Sequence, residues 1–165
     1  MQSKLLNPRD VAFVLYELLD VEALTQRERF SEHSRETFDA ALETAQQIAA
    51  EKFAPHNRKA DLQEPRFADG KVELIPEVAD ALRSFNEAGF MAAAKDAELG
   101  GMQLPWTVAQ ACFAWFNAAN VSTAAYPFLT IANANLIEAF GTPEQRQRYL
   151  GHLLAGRWFG TMCLS

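Results

Sequence analysis

The residues of this sequence that could carry chemistry are three histidines, two cysteines and one glycine pair, and their spacing argues against most of it. His33, His56 and His152 lie far apart and lack the short intervals that bring metal ligands onto one element, so no metal site is expected. Cys112 stands in Ala111-Cys112-Phe113 and Cys163 in Met162-Cys163-Leu164. Two cysteines among apolar neighbours read as buried free thiols of a reducing compartment, not as a disulfide framework. Gly100-Gly101 lacks the further glycines or the lysine of a phosphate-cradling loop. No serine sits in a nucleophile elbow. Glu138 reads as a surface helix residue, not as a general base. No complete catalytic set stands in these 165 residues.

The elements that would position any site are helices, because apolar residues recur at three- and four-residue intervals along most of the chain. Asn7 and Pro8 predict a helix start, followed by Phe13, Val14, Leu15, Leu18 and Leu19. The charged stretch from Asp20 to Phe30 reads as a link. Ser34 predicts the N-cap of a long helix whose stripe is Phe38, Ala41, Leu42, Ala45, Ile48, Ala49 and Phe53, with Pro55 ending it. From Ala54 to Lys71 the composition turns to Pro, Asp, Gly, Arg and Lys, which predicts a surface connection with about one turn of structure. Pro76 opens a helix carrying Val78, Leu82 and Phe85, and Gly89 follows as its C′ residue.

Phe90 to Leu104, with Gly100-Gly101 in it, reads as a loop that can bring backbone close to something else. Thr107 to Asn117 is apolar on most faces, which predicts a helix at the centre of a bundle. A further helix is expected from about Pro127 to Ala139, with Leu129, Ala132, Leu136 and Phe140 on one side. Thr142-Pro143-Glu144-Gln145 is a capping box with proline at the first helical position. The fold class is therefore all-α, a helical bundle. After Gly156 the run Trp158 to Ser165 is rich in β-formers and predicts a strand. A strand with no neighbour to pair with leaves backbone groups unsatisfied, which predicts a polypeptide that continues into a sheet.

Composition bounds the function classes. Apolar residues make up 49% and charged residues 22%, the proportions of a globular domain and not of a disordered chain. A net charge of −6 without a polybasic cluster argues against a nucleic-acid partner. No apolar run reaches membrane-spanning length, and MQSKLLNPRD lacks the features of a signal peptide. The expected location is the cytoplasm.

Residues 136–165, LIEAFGTPEQRQRYLGHLLAGRWFGTMCLS, carry a resemblance. Glycine before a Thr-Pro-Glu-Gln cap, an amphipathic helix with Tyr-Leu, a small-residue turn and a Trp-containing strand together resemble the acyl-CoA dehydrogenases. Glu98-Leu99-Gly100-Gly101 followed by Leu104-Pro105 is similar to a loop of that family. Arg9-Asp10-Val11, the run Phe13 to Asp20 and Ala54-Pro55-His56-Asn57-Arg58 with Asp61 resemble the branch typified by 3-methylmercaptopropionyl-CoA dehydrogenase.

The resemblance implies a leader over residues 1–33, a helical amino-terminal domain over 34–156, and over 157–165 the first strand of a flavin-binding β domain. It implies an FAD-dependent oxidoreductase that desaturates an acyl-CoA thioester at its α,β bond. A carboxylate takes the α-proton, the β-hydride passes to the flavin, and electron-transfer flavoprotein accepts the electrons. Met162, Leu164 and Ser165 match residues at the flavin's pyrimidine edge, and Ala124, Phe128 and Ala132 match positions lining the acyl pocket. The family's catalytic base belongs to a carboxy-terminal domain, so no residue of 1–165 is expected to be catalytic, and a homodimer or homotetramer is implied. Acyl-CoA oxidases and flavin monooxygenases share the scaffold, and a non-catalytic helical interaction module remains a different class of reading.

Overall fold

The computed structural model describes residues 4–163, so Leu164 and Ser165 of the expected flavin edge lie outside the described residues. Helix α1 (Pro8–Ala12) starts where Asn7 accepts the Arg9 backbone N–H at 3.0 Å, and it runs on as a π-helical turn, Phe13–Leu18. The stretch expected to be a link is instead two 3-10 turns, Val21–Gln26 and Glu28–Phe30. Helix α2 (Arg35–Ile48) has the expected cap as a reciprocal box. The Ser34 hydroxyl accepts the Thr37 N–H at 3.4 Å, and the Thr37 hydroxyl accepts the Ser34 N–H at 2.9 Å.

Pro55 does not end the helical path. A π turn (Ala49–Phe53) and a 3-10 turn (Ala54–His56) lead directly into α3 (Asn57–Leu62). Proline is tolerated there because it opens a new turn, where a backbone N–H would have no helical partner. Beyond α3 the structure differs again from the expected connection. Strands β1 (Arg66–Ala68) and β2 (Lys71–Glu73) pair antiparallel with Phe67 opposite Val72. Asp69 and Gly70 join them, both at positive φ (50° and 75°), the geometry that makes Asp-Gly a favoured two-residue hairpin turn.

Helix α4 (Pro76–Glu87) ends at Gly89, which takes φ 80° as a C′ residue should. The following loop folds back on itself at Gly101, where a Cβ would stand 2.1 Å from the Lys95 carbonyl oxygen. Helix α5 (Trp106–Ala119) is central, as its all-round apolar sequence requires. Val108, Ala109, Cys112, Phe113, Trp115, Phe116 and Ala119 are all buried. Phe116 collects the core rings: Phe85 at 4.8 Å and 73°, Phe53 at 5.0 Å and Phe90 at 5.3 Å between centroids. Tilted and edge-on pairs of this kind suit the ring quadrupoles, and each fully buried phenylalanine contributes about 1.5–3 kcal/mol through burial.

Helix α6 (Val121–Phe140) begins six residues before the expected start, with Pro127 inside it. The signal that decides the start is Asn120, whose side-chain oxygen accepts the Thr123 N–H at 3.1 Å. An interior proline costs about 3 kcal/mol, so packing must offset it, and Pro127 is fully buried. Helix α7 (Pro143–Gln145) carries the Thr142–Gln145 capping box, with bonds of 3.3 and 2.9 Å, and continues through a π turn (Arg146–Leu150) into α8 (Gly151–Leu154). Leu150, Leu153 and Leu154 pack on Ala134 and Ala92 as a second small core. Residues 157–163 are neither helical nor paired in a sheet.

Candidate functional site

Residues 157–163 cross α6, and that crossing helps to form a wide concavity. The backbone N–H of Gly160 donates to the Thr130 hydroxyl at 3.1 Å, and the Asn133 amide donates to the Thr161 carbonyl at 3.1 Å. Gly160 lies so close to α6 that a Cβ on it would stand 2.6 Å from the Asn133 Cβ. Beside this crossing opens a cleft of about 680 Å³. The first half of α6 supplies one wall with Thr123, Tyr126 and Leu129, and Ile75 and Val78 at the start of α4 supply another. Phe159 closes one end, edge-on to Tyr126 at 6.1 Å and 84°. Asp61 and Glu64 stand where the chain leaves α3, and Asn57, Gln63 and Ser122 also line the cleft, so the lining is mixed, with its polar and acidic groups mostly on the α3 side.

Below the wall lies a buried polar chain. His56 bridges Lys52 and Thr123, and Asn120 bridges Phe53 and the Thr123 backbone. On the opposite side of α6 a smaller cavity of about 220 Å³ is lined by Phe90, Phe113, Phe116 and Ile131, with Lys95 at its edge. Lys95 forms an ion pair with Glu138. Glu138 is thus a structural partner on the helix.

Along its outer side α6 exposes Phe128, Ala132, Leu136 and Phe140, one turn apart. No helix among the described residues is long and apolar enough to cross a membrane. A face this apolar is covered by another protein surface more often than by water.

Residues 35–157 match the family model described as "Acyl-CoA dehydrogenase, N-terminal domain". The chain belongs to the acyl-CoA dehydrogenase family. It is 31% identical to the 3-methylmercaptopropionyl-CoA dehydrogenase of Ruegeria pomeroyi over 157 residues, 95% of this chain and 27% of that protein. It is 25% identical to the butyryl-CoA dehydrogenase of Syntrophomonas wolfei subsp. wolfei over 169 residues, 99% of this chain and 27% of that protein. The chain thus spans about a quarter of the length of the curated relatives it matches.

Within this acyl-CoA dehydrogenase helical domain, the residues singled out from sequence separate. Ala124 is buried in the core, whereas Phe128 is 57% exposed with its ring 6.2 Å from Phe113. Ala132 is exposed on the same outer stripe. None of the three lines the 680 Å³ cleft, whose α6 wall is made by Thr123, Ala125, Tyr126 and Leu129. Met162 is 63% exposed, one residue beyond the pinned Thr161.

The histidines are held apart and each has local partners. His33 reaches the Gln103 carbonyl at 3.1 Å, and His152 accepts from Arg157 at 3.0 Å while stacking on Trp158 at 4.1 Å. No cluster of three metal-ligating side chains occurs among the described residues. Of the two cysteines expected to be buried, Cys112 is, and burial pushes its thiol up to about 12, whereas Cys163 is exposed on the non-helical end of the described chain. Sequence reading missed Thr123 and Tyr126, whose signal was the Asn120 cap that places both on the first turns of α6.

Proposed function

We propose that this chain is the amino-terminal helical part of an FAD-dependent acyl-CoA dehydrogenase that desaturates an acyl-CoA thioester at its α,β bond. One observation carries the reading: the cleft of about 680 Å³ is formed where residues 159–161 cross α6, so the helical wall and the crossing segment share one largely apolar space. Such a volume, walled by Tyr126, Leu129, Ile75 and Phe159, holds a hydrocarbon tail by removing it from water, at about 25 cal/mol per Å² of buried apolar surface. Tyr126 and Leu129 would orient the tail along α6 and exclude water from it.

The reading assigns one edge of the flavin to the end of this chain. The exposed Met162 thioether offers an apolar contact to a flat ring, and hydrogen bonds to Thr130 and Asn133 hold Gly160 and Thr161 immediately before it. Met162, with Leu164 and Ser165, would border FAD there. FAD, when bound, supplies the acceptor for the β-hydride. The general base lies elsewhere in a longer protein, as do most cofactor contacts, and electron-transfer flavoprotein is the proposed electron acceptor. We assign the outer α6 stripe, with Phe128 and Ala132, to contact with a further domain of that protein, because the relatives are more than three times as long as this chain. A cytoplasmic homodimer or homotetramer completes the proposal.

The test is made on the full-length gene product. Bound flavin in the visible spectrum and its bleaching by acyl-CoA are the expected results. A colourless protein that does not reduce an artificial acceptor with any acyl-CoA would overturn the proposal. The 165-residue chain alone should bind FAD weakly and show no turnover.

A further inference from the structure

His56 is 2% exposed, yet it is fully hydrogen-bonded. Its Nδ1 lies 2.8 Å from the Lys52 carbonyl oxygen and its Nε2 lies 2.8 Å from the Thr123 hydroxyl oxygen. A carbonyl oxygen only accepts, so Nδ1 carries the ring proton and donates it to Lys52. In the neutral ring Nε2 then holds a lone pair, and the Thr123 hydroxyl must be the donor across that contact. Asn120 fixes the same residue from the other side, accepting the Thr123 N–H at 3.1 Å and donating to the Phe53 carbonyl at 3.2 Å. Thr123 is also a lining residue of the 680 Å³ cleft. Its single hydroxyl proton is therefore committed to His56.

We infer that His56 is a positioning and specificity-determining residue for this cleft: by taking the Thr123 hydroxyl proton, it leaves Thr123 with no proton to donate to a bound tail. The inference rests on the reading of the cleft as an acyl-tail site and deepens it. A carbonyl on the tail that reached Thr123 would lose its hydrogen bond to water and find none from Thr123 in return, at a cost that discriminates against it. A hydrocarbon tail meets no such cost. The wall thus favours unsubstituted chains over chains bearing an acceptor group.

The experiment compares an unsubstituted acyl-CoA with one carrying a carbonyl on its tail, as substrates of the full-length flavoprotein. His56→Phe keeps an aromatic ring and removes both nitrogens, so it frees the Thr123 hydroxyl. The expected result is a rise of about three- to tenfold in the kcat/KM ratio of carbonyl-bearing to unsubstituted substrate, carried by KM. Adding Thr123→Val to His56→Phe should abolish that rise, and His56→Gln, whose amide oxygen can accept from Thr123, should show less of it. An unchanged ratio in His56→Phe, or a rise that survives Thr123→Val, would overturn the inference. The ring ¹⁵N spectrum of this chain judges the geometry independently of acyl-CoA turnover. One protonated Nδ1 and one unprotonated Nε2 are expected for His56, and a protonated Nε2 in the neutral ring would refute the donor assignment. An enzyme inert to every acyl-CoA, with the ring spectrum as expected, would sink the functional reading alone.

Discussion

The Thr130 hydroxyl stands between two backbone groups, donating to the Tyr126 carbonyl at 2.6 Å and accepting the Gly160 N–H at 3.1 Å. One fully buried side chain thereby ties the non-helical end of the described chain to α6. Thr130→Val keeps the shape and removes both roles, leaving the Gly160 N–H without its partner. Such a loss costs about 1–3 kcal/mol locally, so hydrogen exchange at Gly160 should speed up by about tenfold or more while the α5 amides keep their protection. Unchanged exchange at Gly160 would show that this bond does not hold the segment.

Gly160→Ala attacks the same crossing by volume. The new Cβ would stand 2.6 Å from the Asn133 Cβ, an atom fixed to the helix backbone that cannot swing aside. Residues 159–161 should lift from α6 and expose Phe159 and Trp158. Iodide quenching of tryptophan fluorescence should increase, with little change in the thermal midpoint, because the phenylalanine core lies elsewhere.

Lys95 and Glu138 tie the loop after Gly89 to α6, with side chains 12% and 33% exposed. Removing one charge strands the other, and the more buried partner is the costlier one to strand. Glu138→Gln should therefore destabilise the domain by about 1–3 kcal/mol and Lys95→Met by less, measured by urea titration. The reverse order would mean that water solvates the Lys95 ammonium well.

Burial pushes the Cys112 thiol from 9.0 up to about 12, whereas Cys163 is exposed. Between those pH values the unfolded chain loses the thiol proton and the native chain keeps it. Stability contributed by this group is therefore complete below pH 9 and falls as pH rises towards 12. Cys112→Ala should flatten that alkaline decline in a urea titration series. In native protein at neutral pH, a thiol reagent should modify Cys163 rapidly and reach Cys112 only after unfolding.

Much of the fold can be read directly from residue order, because helix caps and amphipathic stripes are local. Ser34 and Thr142 announce their helices through side-chain bonds to backbone three residues away. The all-round apolar sequence of α5 places it at the centre without reference to any partner. Asp69-Gly70 also carried its hairpin locally, but strands of three residues amid Pro, Lys and Arg give too little alternation to stand out.

What tertiary structure alone decided is which side of α6 does what. Its residues are small or apolar on nearly every side, so periodicity names no single buried face, and Pro127 masks the true start at Asn120. The sides are assigned by contacts from distant sequence. His56 and Asn120 are 64 positions apart, and both hold Thr123. Gly160 reaches back 30 residues to Thr130. Local propensity cannot encode such pairings, because each bond forms only after two helices have packed and water has left the space between them.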